Sequence, residues 1–264
     1  MSNDNSVVVM NFSHVYEEEI HLKKKDYQWI DCTYIKGTEC YLDDIAKREL
    51  EKKIEDFSPE GIHFIDSGNY HYVTKLWTDK IKEPFSLVVF DHHTDMQPSM
   101  FENLMSCGCW VKEVLDHNEF LKKVILVGAK EEMIQSIEEK YKKRLIYFSE
   151  QSLRRKESWE EFSKLHLMEP VYISVDKDIL SEETVRTNWD QGSLKLSELE
   201  ALLVTIMNNE EVIGIDICGE ANMDEPYLVQ RQVNQKNDFV NMELLELIRS
   251  QKEREDRDEK VSNY

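Results

Sequence analysis

A succession of short, mostly continuous apolar runs constrains this chain more than any other feature: VVVMNF (7–12), GIHFID (61–66), FSLVVFD (85–91), KVILVG (123–128), RLIYFS (144–149), PVYISVD (170–176) and EVIGIDIC (211–218). A strand that is apolar without in–out alternation is buried on both faces, as in a parallel sheet covered by helices. Helical patterns lie between the runs. Leu42, Ala46, Leu50, Ile54 and Phe57 recur at steps of four and three, which predicts a helix with one stripe facing the sheet. Ser197 with Glu200 has capping-box spacing and predicts a helix from there through Met207. The alternation predicts an α/β fold with three layers and a mostly parallel, doubly wound sheet, its crossovers right-handed. No repeat and no break in composition divides the chain, so one domain over 1–264 is expected. From about residue 250 the sequence SQKEREDRDEKVSNY is charged and should fray or extend a terminal helix.

Composition excludes several classes of function. With 53 acidic against 33 basic residues the net charge is −20, which disfavours nucleic acid, because phosphate contacts need clustered Lys and Arg. No apolar stretch approaches the roughly 20 residues of a membrane helix. Cys32, Cys40, Cys107, Cys109 and Cys218 form no CxxC pair, and MSNDNSVVVM lacks a basic secretory leader. These features predict a cytoplasmic protein that binds neither nucleic acid nor membrane, and they leave assembly into a homo-oligomer open.

In such sheets ligands collect beyond the carboxyl ends of the strands, and there the unusual residues stand. FSLVVF runs into Asp91-His92-His93-Thr94-Asp95. Alternate residues point the same way, so Asp91, His93 and Asp95 can converge while His92 and Thr94 face elsewhere. Carboxylates with an imidazole suit a divalent cation such as Mn²⁺. A second acidic pair, Asp176 and Asp178, ends PVYISV. Burying these carboxylates together costs many kcal/mol unless cations neutralise them, so the two clusters imply a metal site. SGNYHY follows GIHFID, where Gly68 permits a tight turn and His71 opens a helix as a further candidate ligand.

GNYH, DHHTD and SVDKD, in this order, resemble the metal signature of the ureohydrolases, the arginases and agmatinases, over about residues 61–220. The resemblance implies an arginase-like fold and two Mn²⁺ per chain, held by His71, Asp91, His93, Asp95, Asp176 and Asp178. By that analogy His71 and Asp95 serve one ion, His93 and Asp178 the other, and Asp91 and Asp176 bridge them. It also implies a hydrolase of non-peptide C–N bonds, the linear amidine class, in which a metal-bridging hydroxide attacks a guanidino, formimino or related carbon.

The substrate side departs from the family. Ser106-Cys107-Gly108 puts Cys107 where the family has a proton-shuttling histidine, and a thiol can shuttle a proton if its pKa falls toward neutral. The family's D-x-x-E glutamate, which binds the guanidinium, corresponds to Glu220, one residue later than expected, and Gly219 could form a bulge that brings it to the pocket. The family's TGTP-like loop is replaced by TNWDQG, with Trp189 as a planar wall, and Gln97 stands near the substrate-gripping position. Asp91, Cys107 and Glu220 are therefore the catalytic candidates, and Gln97, Trp189 and Glu220 the substrate-binding ones, for a substrate other than arginine. The competing expectation is an inactive arginase-fold protein whose metals are structural and which serves as a binding module.

Overall fold

The apolar runs become strands in the computed structural model, which describes residues 6–24, 26–99, 101 and 104–262. The strands are β1 Val7–Asn11, β2 Gln28–Asp31, β3 Tyr41–Leu42, β4 Gly61–Phe64, β5 Phe85–Phe90, β6 Met105–Ser106, β7 Leu121–Val127, β8 Leu145–Phe148, β9 Val171–Asp176 and β10 Val212–Cys218. The helices are α1 Asp44–Lys53, α2 Val73–Thr78, α3 Trp110–His117, α4 Glu131–Gln135, α5 Glu139–Lys142, α6 Lys156–Ser163, α7 Leu196–Asn209 and α8 Tyr227–Ser262. Among the described residues eight strands form one sheet in the order β2-β1-β4-β10-β9-β5-β7-β8. Every neighbouring pair in it is parallel.

Alternation along each strand sends side chains into two cores. Val88 and Phe90 of β5 and Ile125 and Val127 of β7 pack on one face with Leu199, Leu202 and Ile206 of α7 and Val240 and Leu244 of α8. Leu87 and Val89 of β5 and Val124 and Leu126 of β7 pack on the other with Ala46 and Leu50 of α1, Trp77 of α2 and Val114 of α3. Each face is covered, so the three-layer arrangement accounts for runs with no polar side. No helix among the described residues is long and apolar enough to cross a membrane.

Local boundaries differ from the sequence expectations for identifiable reasons. Leu42 lies in β3, because Asp43 takes the cap position and accepts from the backbone N–H groups of Ile45 and Ala46, each at 2.8 Å. Helix α7 starts at Leu196, and its capping acid is Glu198, whose Oε2 accepts from the Lys195 N–H at 2.8 Å, in place of the Ser197–Glu200 pair. Strand β2 had no continuous apolar run to mark it, since only Ile30 of its four residues is buried at the sheet edge. The charged segment from 250 continues α8 to Ser262, and Asn263 and Tyr264 lie outside the described residues.

Candidate metal centre

Four adjacent strands, β4, β10, β9 and β5, end side by side and carry the site. Beyond β4 the chain turns at Asp66, whose positive φ of 69° is held by its carboxylate accepting from the N–H groups of Phe12 and Ser13, each at 2.8 Å. A single 3-10 turn, Gly68–Tyr70, then delivers His71, which precedes α2 rather than opening it. Gly68 is required by crowding: a Cβ there would lie 2.7 Å from Trp189 Cδ1 and 3.0 Å from Asp176 Oδ2. β5 runs directly into Asp91, and a left-handed Asp95 (φ 49°) bends the following segment back.

The two imidazoles stand on either side of Asp91. His71 Nδ1 lies 3.2 Å from Asp91 Oδ2, 3.1 Å from Asp95 Oδ2 and 3.5 Å from Asp176 Oδ2. His93 Nδ1 lies 2.8 Å from Asp178 Oδ2 and 3.4 Å from Asp91 Oδ1. Three donor groups result, each with its ligand atoms within 4.8 Å of one another: His71–Asp91–Asp95, Asp91–His93–Asp178 and His71–Asp176–Cys218. Asp91 belongs to both sides. Asp176 is grouped with His71 and Cys218 and not with His93, while its Oδ1 accepts from the Asp178 N–H at 2.9 Å.

Outer contacts hold the far nitrogen of each ring, so that a cation arriving at Nδ1 displaces only the inner proton. Ser174 Oγ donates to Asp216 Oδ1 at 2.6 Å, so it accepts from His71 Nε2 at 2.9 Å and leaves Nδ1 free to ligate. His93 Nε2 meets Asp190 Oδ1 at 2.9 Å, and Lys130 pairs with the other oxygen of Asp190. This again frees the inner Nδ1. Trp110 Nε1 donates to Asp95 Oδ2 at 2.6 Å.

The donor set fits divalent cations. Asp91, Asp95, Asp176 and Asp178 are all buried, and the recorded ion pairs within the cluster are with His71 and His93; among the described residues no Lys or Arg pairs with them. Burial, then the Asp91 charge, pushes Asp95 up to about 6. Burial and neighbouring acids likewise raise Asp176 and Asp178. For Asp91 burial acts upward, but hydrogen bonds from His71 and His93 overcome it and hold the carboxyl below its usual range. Acids that repel one another in a dry site are the arrangement that cations relieve.

Above the ligands opens a cavity of about 260 Å³, with Gln97, Cys107 and Trp189 on its wall beside Tyr41 and Met133. Cys107 donates its N–H to Cys40 O at 2.9 Å, and burial, reinforced by Asp95, pushes its thiol pKa up, away from the neutral range a shuttle needs. Trp189 is fixed by its Nε1 donating to Asn69 Oδ1 at 3.0 Å, and its ring meets His93 edge-on at 5.9 Å.

Glu220 is not brought to this cavity. It is fully buried, and its carboxylate accepts from Lys177 and, at 2.8 Å each, from Asn237 and Asn241 of α8. Gly219 does adopt a left-handed conformation (φ 94°), but the turn aims the acid at the α8 layer, where Lys177 also points from between the two aspartates. Residues that sequence reading passed over include Trp110, Ser174, Asp190, Asp216 and Cys218. Asp190 adjoins Trp189 and Cys218 stands two residues after Asp216, but only the folded loop for the one and the β10–β9 register for the other put them beside the ligands.

Residues 9–222 match the Arginase family. An uncharacterised protein of Thermotoga maritima is 29% identical over 239 residues, 90% of this chain and 87% of that one. N(1)-aminopropylagmatine ureohydrolase of Thermococcus kodakarensis is 25% identical over 178 residues, 64% of this chain and 57% of that enzyme. Formimidoylglutamase of Bacillus subtilis has a similar fold, with a TM-score of 0.67 at 15% identity, covering 92% of this chain and 86% of its own. The matched span contains His71, Asp91, His93, Asp95, Asp176 and Asp178 and most of the parallel sheet that carries them, and the chain belongs to the arginase family.

Proposed function

We propose that this chain is a hydrolase that uses two divalent cations, Mn²⁺ in the first instance, to cleave a C–N bond of a guanidino, formimino or related group in a small molecule. The observation that carries this reading is the sharing of Asp91 between two donor groups on the floor of one cavity. When bound, such a pair supplies Lewis acidity and a nucleophilic oxygen at neutral pH. The residues supply the rest. His71, Asp91, Asp95 and Asp176 would hold one cation, and Asp91, His93 and Asp178 the other. Asp190 and Ser174 keep both imidazole Nδ1 atoms turned inward. Trp189 on the cavity wall offers a flat face that a planar amidine can lie against. The names of the relatives, a ureohydrolase and a formimidoylglutamase, support the same bond class. With Glu220 turned away, no described carboxylate outside the ligand set lines the cavity to receive the cationic guanidinium of arginine, which supports a substrate other than arginine.

The test is a panel of guanidino, formimino and amide compounds incubated with Mn²⁺-loaded protein, read as urea, formamide or ammonia release. Turnover of at least one compound, abolished by chelator and restored by Mn²⁺, is expected. A panel inert throughout, with full metal content, overturns the reading. In the same assay Cys107→Ser should retain turnover within about tenfold, because a thiol held protonated contributes little as an acid–base group. A loss near 10²-fold with metal content unchanged would instead make Cys107 the proton shuttle.

Cation removal should also be visible in stability. A ligand at a hundred times its Kd stabilises a fold by about 2.7 kcal/mol, so chelation should lower the melting temperature by roughly 5–10 °C. The sign of the pH dependence follows from Asp95. Its folded pKa of about 6 lies above the unfolded value of about 3.9. The metal-free fold therefore keeps this contribution below about pH 4 and loses it as pH rises through 6. Cation affinity meanwhile grows as the ligands lose protons. The chelator-induced fall in melting temperature should thus be larger at pH 8 than at pH 5; an equal or smaller fall would contradict the cluster.

A further inference from the structure

We infer that Cys218 is a thiol donor to the cation on the His71 side, which makes that position chemically softer than the one at His93. The inference rests on the two-cation reading above. Cys218 ends β10 directly opposite Asp176 in the parallel register with β9, and it is fully buried. Its Sγ lies 3.2 Å from Asp176 Oδ2 and, with His71 and Asp176, forms a compact donor group. Asp216, two residues earlier on the same strand, reaches Ser174 and through it the outer nitrogen of His71. One strand thus supports His71 from behind and places sulfur beside it. Gly219 allows the approach, because a Cβ there would lie 2.5 Å from Asp176 Oδ1.

The His93 side differs. Its group, Asp91, His93 and Asp178, offers only oxygen and nitrogen. Cys40 and Cys107 line the cavity wall but enter no donor group among the described residues. At rest the Cys218 S–H donates to Asp176 Oδ2. A cation takes the place of that proton, which leaves to solvent, and sulfur then binds beside the carboxylate. Sulfur donors favour Zn²⁺, Fe²⁺ or Co²⁺ over Mn²⁺, whereas the oxygen-rich set retains Mn²⁺. The centre is therefore built to hold two unlike cations.

Co²⁺ added to the chelator-stripped full chain provides the test. At about two Co²⁺ per chain the protein should show a near-ultraviolet sulfur-to-cobalt charge-transfer band. That band should vanish in Cys218→Ser and in Cys218→Ala, persist in Cys107→Ser, and leave the weaker visible cobalt bands in all of them. In competition, the preference for Zn²⁺ over Mn²⁺ should fall at least about tenfold in Cys218→Ser. Full Co²⁺ loading without the charge-transfer band, or a band that survives Cys218→Ser, overturns the inference and leaves Cys218 as a hydrogen-bond donor. Failure to bind a second Co²⁺ overturns the two-cation reading itself, and this inference with it.

Discussion

Replacing Asp91 with asparagine should release both cations and cut turnover by about 10³-fold or more, the scale on which preorganised charges act in a dry site. The side chain keeps its shape, so the change is one of charge. Oδ2 of Asp91 faces His71 and Oδ1 faces His93, and no other described carboxylate reaches both rings. Asp178→Asn is the control, since of the two candidate ligand rings Asp178 meets that of His93 and not that of His71. It should cost one cation, with the His71-side ion retained. The metal-free proteins separate the two further. Burial, then Asp176 and Asp91, already push Asp178 toward its protonated form, so its amide should leave metal-free stability nearly unchanged. Asp91 is held ionised by both histidines, and its amide should destabilise the metal-free fold. Metal analysis with parallel melting curves reads all of this. If each variant loses only one cation, Asp91 is not shared.

That Asp91 could be singled out in advance reflects a property of parallel sheets. Strands covered on both faces read as unbroken apolar runs, so VVF and ISV announced β5 and β9, and acids immediately after them had only the carboxyl edge to occupy. Alternation then separated His93 from His92, whose ring belongs to no donor group. The same logic was silent where contact depends on distant loops. Trp110 reaches Asp95 across 15 positions, and Asp190 reaches His93 across 97, with no local pattern to record either. Strand β2 escaped because an edge strand exposed at Gln28, Trp29 and Asp31 lacks the apolar run. Cys218 was read as the end of a strand, and its place beside Asp176 depends on the register of β10 with β9. Glu220 shows the opposite failure. Counting along the chain placed it near the substrate, but the turn at Gly219 decides direction, and direction is not encoded in spacing.

Glu220 should consequently reveal itself through stability. Lys177 and Glu220 form an ion pair with no exposed surface, closed by Asn237 and Asn241. Burial acts to raise the Glu220 pKa, but Lys177 overcomes it and keeps the acid ionised. Removing one partner strands the other charge in a dry interior, at a cost of about 3–5 kcal/mol. Glu220→Leu is therefore expected to lower the melting temperature by about 10 °C at the 2–4 °C per kcal/mol of a chain this size. Glu19 limits the damage. It is buried beside the pair, takes one hydrogen bond from Asn241, and is kept toward its neutral form by burial and by the Glu220 charge. Once Glu220 is gone that repulsion ends, and Glu19 can ionise toward Lys177. Glu19→Gln/Glu220→Leu should thus be worse than the sum of its single changes. Lys177→Met/Glu220→Leu should recover most of the loss, since a buried pair exchanged for apolar groups of similar volume is often neutral. In Glu220→Leu loaded with cations, KM for the substrate found in the panel should stay within about threefold, because the acid makes no contact with the cavity. A melting temperature that hardly moves, together with a KM raised tenfold or more, would return Glu220 to the substrate.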